Sequence, residues 1–218
     1  MHSVRGAAVK TIICFGDSNT WGADPAAPRR FDPDVRWTGV LAEALGSGYH
    51  VIEEGLNGRT TIIDDMVEPN RNGLSYLIPC IDSHHPFDLI VIMLGTNDLK
   101  YRHHRQPADI AQSVALLANT VKDTRFGPDD RSPEVLIVCP PPIGKLGDLA
   151  GIFAGSIEKS RELPTWYEWA ARWTGSGYLN AGEFIRSSDD DGVHFDAEDH
   201  AKLGVAIATK IRNMIETD

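Results

Sequence analysis

The sequence is short of three things, and each shortage removes a class of protein. It has no apolar run approaching the roughly 20 residues that a bilayer-spanning helix needs. The first apolar stretch, Ile12 to Phe15, ends at Gly16-Asp17. That is too brief for the core of a secretory signal, although Arg5 and Lys10 supply positive charge before and beside it. Cysteine is scarce: Cys14, Cys80 and Cys139 are far apart, and no two have the spacing of a metal-binding pair. Two of them fall in strand-like segments, so buried free thiols in a reducing, cytoplasmic setting are expected. Positive charge is also scarce. Against 31 acidic residues stand 21 Lys and Arg, a formal net charge of −10. That balance argues against nucleic acid or an anionic membrane as partner. Repeats and low-complexity tracts are lacking too.

What remains is the composition of a globular protein, 42% apolar and 24% charged over 218 residues. A single domain over 1–218 is expected, with residues 1–9 as a loose leader. Short apolar runs alternate with helical patterns. Lys10 to Phe15 reads as a strand. Residues 23–36, with Pro25, Pro28 and Pro33 among charges, read as a loop too polar for core. Apolar residues at 37, 40, 41, 44 and 45 have helical spacing, and Gly46 is a natural stop. His50 to Glu53 is a second strand, Leu74 to Ser83 a helix, and Asp88 to Leu94 the clearest strand, apolar on both faces as a central parallel strand should be. A helix over Asp109 to Lys122 precedes a fourth strand, Glu134 to Cys139, closed by three prolines. Residues 143–157, carrying Ile143 and Phe153 among glycines, read as a mobile apolar lid or pocket wall. Glu158 to Trp173 is helical, with Pro164 as a possible kink; Tyr178 to Asn180 is a fifth strand; Ala197 to Met214 is the last helix. Strands alternating with helices predict a three-layer α/β/α, flavodoxin-like domain with a five-stranded parallel sheet in the order 2-1-3-4-5.

In that architecture the loops after the strands open on one edge of the sheet. Ser18 follows strand one, Gly58 strand two, Asn97 strand three, and Asp191 and His194 strand five. Ester cleavage needs a hydroxyl, a base to take its proton, a carboxylate to hold that base, and donors aimed at the developing oxyanion. Ser18 supplies the hydroxyl and His194 the base. Asp191, three residues before His194, can reach Nδ1 while Nε2 faces Ser18. The backbone N–H groups of Ser18 and Gly58 and the side-chain amide of Asn97 can form the oxyanion hole, and Gly58 lets the backbone approach substrate closely.

Gly16-Asp17-Ser18, Gly58, Gly95-Thr96-Asn97-Asp98 and Asp191-Gly192-Val193-His194 match in order the motifs of the SGNH hydrolases, or GDSL esterases, which the sequence resembles over nearly its whole length. The leucine usual after the serine is Asn19 here, a departure that leaves the chemistry intact. Arg36 to Leu41, Val51 to Leu56 and Met93 to Asp98 look like bacterial aryl esterases of the acyltransferase and perhydrolase kind. The resemblance implies Ser18 as nucleophile, Asp191 and His194 as its partners, and Gly58 and Asn97 as oxyanion donors. It also implies a cofactor-free enzyme acting on small esters through an acyl-enzyme, with acyl transfer to alcohols or peroxide, and a homo-oligomer. Rival readings are a carbohydrate acetyl esterase, a thioesterase, or a flavodoxin-like module cradling phosphate on Gly16 to Thr20. The last leaves Asp191 and His194 without a role.

Other residues carry two readings each. Asp17 either orients the serine loop or only forms the turn. Trp21 either walls the acyl site or belongs to the core. Asp98 holds its own loop. Arg59 reads as a surface arginine able to meet an anionic substrate. His84-His85 and His103-His104 read as surface pairs, because neighbours on a helix point apart and neither motif holds a third ligand, so no metal is expected. Asp189 and Asp190 read as solvated acids.

Overall fold

The computed structural model describes residues 9–215; most of the expected leader, residues 1–8, lies outside them. Five strands are present: β1 (Lys10–Gly16), β2 (Tyr49–Gly55), β3 (Leu89–Met93), β4 (Glu134–Cys139) and β5 (Gly177–Asn180). The helices are α1 (Ser18–Trp21), α2 (Trp37–Leu45), α3 (Gly73–His84), α4 (Pro107–Lys122), α5 (Ser156–Thr174) and α6 (Ala197–Ile215). All neighbouring strands are parallel, in the order β2-β1-β3-β4-β5. This is the α/β sheet expected from the sequence.

The period-two alternation of a strand explains the two cores. Ile13 and Phe15 of β1, Ile90 and Ile92 of β3, and Val135 and Ile137 of β4 pack on one face with α3, α4 and α5. Their neighbours Ile12, Cys14, Leu89, Val91, Leu136 and Val138 pack on the other with α2 and α6. The layers are therefore α/β/α, and β3 is buried along its whole length. Helix α4 shows why local sequence suffices in places. Pro107 opens it, and Gln106 and Asp109 cap each other reciprocally.

Two sequence expectations change with packing. Helix α5 begins at Ser156 and runs through Pro164 to Thr174. The 143–157 segment is tied down: Ile143 is buried in the core with its N–H on Ser160 Oγ at 2.9 Å, and Ile152 accepts from the Tyr101 N–H at 2.8 Å. The 23–36 loop is likewise anchored, with Arg36 buried and paired to Glu53 at 2.5 Å and Phe31 set edge-on against His200.

Candidate active site

β1 delivers Asp17-Ser18 to the carboxyl edge of the sheet. Asp17 caps the short helix α1, its Oδ1 accepting from the Asn19 N–H at 3.0 Å, so Ser18 sits at the first helical position. From the opposite end of the chain, the loop after β5 brings back Asp191 and His194. His194 Nε2 lies 2.9 Å from Ser18 Oγ, and His194 Nδ1 lies 2.5 Å from Asp191 Oδ2. Asp191 Oδ1 is fixed in turn by the N–H groups of Val193 at 2.7 Å and His194 at 2.8 Å. Burial pushes the Asp191 carboxyl up, but the His194 ring and these two backbone donors outweigh it and hold it below its ordinary value. Asp189 and Asp190 are exposed and make no contact with the imidazole; Asp189 faces Arg186 at 3.9 Å.

The loops after β2 and β3 close the ring. Gly58 has φ of +77°, a conformation that favours glycine; a Cβ there would meet the movable carboxylate end of Glu68 at 2.3 Å, so conformation more than space calls for glycine. Asn97 Nδ2 donates to Arg59 O at 3.1 Å and, at a long 3.4 Å, to Asp17 Oδ2. Among the described residues neither the Ser18 nor the Gly58 N–H donates to a protein acceptor. Burial raises the Asp17 carboxyl to about 6 against the pull of the Asn19 N–H and nearby cations.

Ser18, Gly58, Asn97 and His194 line a cavity of about 250 Å³. Its lining includes the apolar Leu149, Ile152, Phe153 and Val193 and the polar Asn57, Glu68 and Lys100. Phe153 thus stands where the sequence suggested. Ile143 does not; it is a core residue. Asp17 lies buried beneath the site and does not line it. Trp21 lines an adjoining groove of about 610 Å³, together with Pro25, Pro28 and His194, and its ring stacks under Arg30 at 5.1 Å. A larger groove of about 830 Å³ between β5 and α6 holds none of these residues. Chemistry, not size, picks out the site.

Three groups stand in surroundings their local sequence does not show. Arg59 is buried between the rings of Phe15 and Tyr76, at 4.3 and 5.1 Å, and its Nη1 donates to Gly16 O at 2.8 Å and to Glu54 O. It braces the strand leading to Ser18 and cannot greet substrate. His84 pairs with Glu54 at 2.8 Å and His103 with Asp65 at 3.3 Å, so neither is a free surface histidine. Asp98 holds more than its own loop, because it grips Thr61 on the Gly58 segment.

A hydroxyl, an imidazole and a carboxylate in line at the carboxyl edge of a parallel sheet make the arrangement of a serine hydrolase. Residues 14–202 match the model of the GDSL-like lipase/acylhydrolase family, and the chain belongs to that family. The aryl esterase of M. smegmatis is 43% identical with a TM-score of 0.90, the alignment covering 94% of this chain and 100% of that one. Est24, a carbohydrate acetylesterase from Sinorhizobium meliloti, is 41% identical with a TM-score of 0.91 over the same shares. A lipolytic G-D-S-L protein from Veillonella parvula, 17% identical with a TM-score of 0.63, shares the fold. No curated protein sequence matches the chain. The protein is therefore an SGNH-type serine carboxylic ester hydrolase. No helix among the described residues is long and apolar enough to cross a membrane.

Proposed function

We propose that the protein cleaves small aryl and short-acyl esters through an acyl-enzyme on Ser18, without a cofactor. The observation that carries this reading is the unbroken line Asp191–His194–Ser18 opening on a cavity of only about 250 Å³. As Ser18 Oγ bonds to the ester carbonyl carbon, its proton passes to His194 Nε2, and Asp191 stabilises the imidazolium. The N–H groups of Ser18 and Gly58 and the amide of Asn97 receive the oxyanion. Collapse breaks the carbon–oxygen bond to the alcohol, which leaves with the proton from Nε2. Water or an alcohol then gives its proton to His194 as its oxygen bonds to the acyl carbon, the bond to Ser18 Oγ breaks, and His194 returns the proton to Oγ.

The apolar wall of Leu149, Ile152 and Phe153 supports acyl transfer, because a poorly hydrated acyl-enzyme lets an alcohol compete with water. The same reading makes the protein a homo-oligomer, and the exposed aromatic row on α5, Trp166 edge-on to Trp169 and Trp169 stacked on Trp173, is an apolar surface suited to that. Acetylated carbohydrate is the second reading. It is favoured by the likeness to Est24 and by the polar wall of Asn57, Glu68 and Lys100, whose groups can bond hydroxyls.

The test is a panel of 4-nitrophenyl esters from acetyl upward, run beside acetylated sugars. Highest kcat/KM at two to four acyl carbons, falling with length, is the expected result. A preference for long acyl chains sinks the small-ester reading, and turnover of acetylated sugars alone transfers it to the second.

A further inference from the structure

A grouping of ligand-type side chains lies away from the serine, where β2 meets α3. Cys80 and His84 are four residues apart on α3 and so share one face of the helix. Glu54 comes from β2. Each offers one ligand atom, and the three atoms lie within 4.8 Å of one another. His84 Nε2 and Glu54 Oε1 stand 2.8 Å apart, the separation of two atoms sharing a proton. The Tyr76 hydroxyl donates to the other oxygen, Glu54 Oε2, at 3.1 Å. Leu77 and Ile81, buried on either side of Cys80 in sequence, fix α3 against the sheet, so the three groups are held by the fold itself.

We propose that Glu54, Cys80 and His84 form a site for a thiophilic divalent cation of the Zn²⁺ and Co²⁺ type. One sulfur, one imidazole nitrogen and one carboxylate oxygen suit such ions and not Mg²⁺ or Ca²⁺, which take oxygen. Three protein ligands leave a fourth position of a tetrahedron. Glu54 and Tyr76 border a groove of about 550 Å³, which can supply a water there. Bonds of about 2.0–2.3 Å need ligand atoms roughly 3.3–3.8 Å apart. Glu54 and His84 would part slightly and Cys80 close in by about an ångström, a matter of side-chain rotation. Cys80 is a buried free cysteine, and an ion that takes its sulfur displaces the thiol proton. On binding, the ion sheds waters and bonds to sulfur, nitrogen and oxygen. The thiol proton leaves to solvent, and His84 binds through Nε2 with its ring proton carried on Nδ1. Thiolate and carboxylate then neutralise the two positive charges, which keeps the site tolerable beside the buried Arg59. The sequence concealed this set because its ligands come from two elements and no cysteine pair is involved.

Titrating chelator-stripped protein with Co²⁺ tests the proposal. One equivalent per chain is expected, with a near-ultraviolet thiolate-to-cobalt charge-transfer band and proton release into weakly buffered solution. Cys80→Ser should abolish the band, while Cys139→Ser keeps it. His84→Ala, at a partly exposed ring whose loss leaves the fold intact by circular dichroism, should weaken binding by roughly 100-fold or more. Absence of saturable uptake, a band surviving in Cys80→Ser, or unchanged affinity in His84→Ala each overturns it.

Discussion

Asp98 grips Thr61 with both carboxylate oxygens, Oδ2 accepting from the backbone N–H at 2.9 Å and Oδ1 from the hydroxyl at 2.5 Å. This joins the loop that carries Asn97 to the loop that carries Gly58, inside the protein and out of reach of water. Burial raises the Asp98 carboxyl to about 6, although both Thr61 contacts pull the other way. The native chain therefore holds this proton more tightly than the unfolded chain, where the value is near 4. The stability from it is fully present below pH about 4 and is lost as pH rises through about 6, by up to about 3 kcal/mol. Asp98→Asn should remove that decline. Urea midpoints at pH 4 to 7 for both proteins check this, and parallel curves would refute it. Asp98→Ala should instead cost about 1–3 kcal/mol at every pH by stranding the Thr61 N–H.

The relay on Ser18 predicts an all-or-none loss. Ser18→Ala should stay folded and lose roughly 10⁴–10⁶-fold in kcat. A fluorophosphonate should label the wild type once per chain, at Ser18 by mass spectrometry. Label on Ser75 or Ser113 would disprove the assignment.

Asn97→Ala should lower kcat by roughly 10²–10³ with little change in KM, since an oxyanion donor acts mainly in the transition state. The weak 3.4 Å contact with Asp17 is the one an oxyanion can displace. Steady-state kinetics on 4-nitrophenyl acetate separates the two constants. An effect confined to KM would make Asn97 a substrate-binding residue only.

Acyl transfer is predicted from the apolar wall of the cavity. In aqueous buffer with vinyl acetate and a primary alcohol, new ester should accumulate beside free acetate, in a ratio that rises with alcohol concentration. Phe153→Asn, which wets that wall, should shift the ratio toward acetate. Light scattering after size exclusion reads the mass of the particle. Acetate alone at high alcohol would leave the hydrolase and remove the transferase, and a monomer would remove the homo-oligomer.

The fold was legible because β3 and β4 are apolar along almost their whole length and helical patterns intervene, which leaves few topologies. The line from Asp191 to Ser18 was legible because each residue follows a strand end, and the topology gathers strand ends at one edge. The rest depends on side chains reaching between elements. Nothing local in the sequence marks Arg59 as a buried brace or Asp98 as a clasp. Ile143 and Phe153 look alike in an apolar, glycine-rich run, and both pack in the core, but only Phe153 also lines the cavity. Nothing local in the sequence marks His200 either. It is buried with its Nδ1 taking the Trp37 N–H at 3.2 Å, and burial lowers it to about 4.

Asn19 stands where leucine usually follows the serine, and its Nδ2 donates to Val193 O at 3.3 Å. Ser18 and His194 are neighbours in sequence of the two residues so joined. The bond works as a strut across the gap between the first loop of the chain and one of its last. It ties the segment that carries the hydroxyl to the segment that carries the imidazole. A leucine at the same place has no donor for the Val193 carbonyl. With Asn19 the spacing of nucleophile and base rests in part on a direct bond between the two loops that carry them.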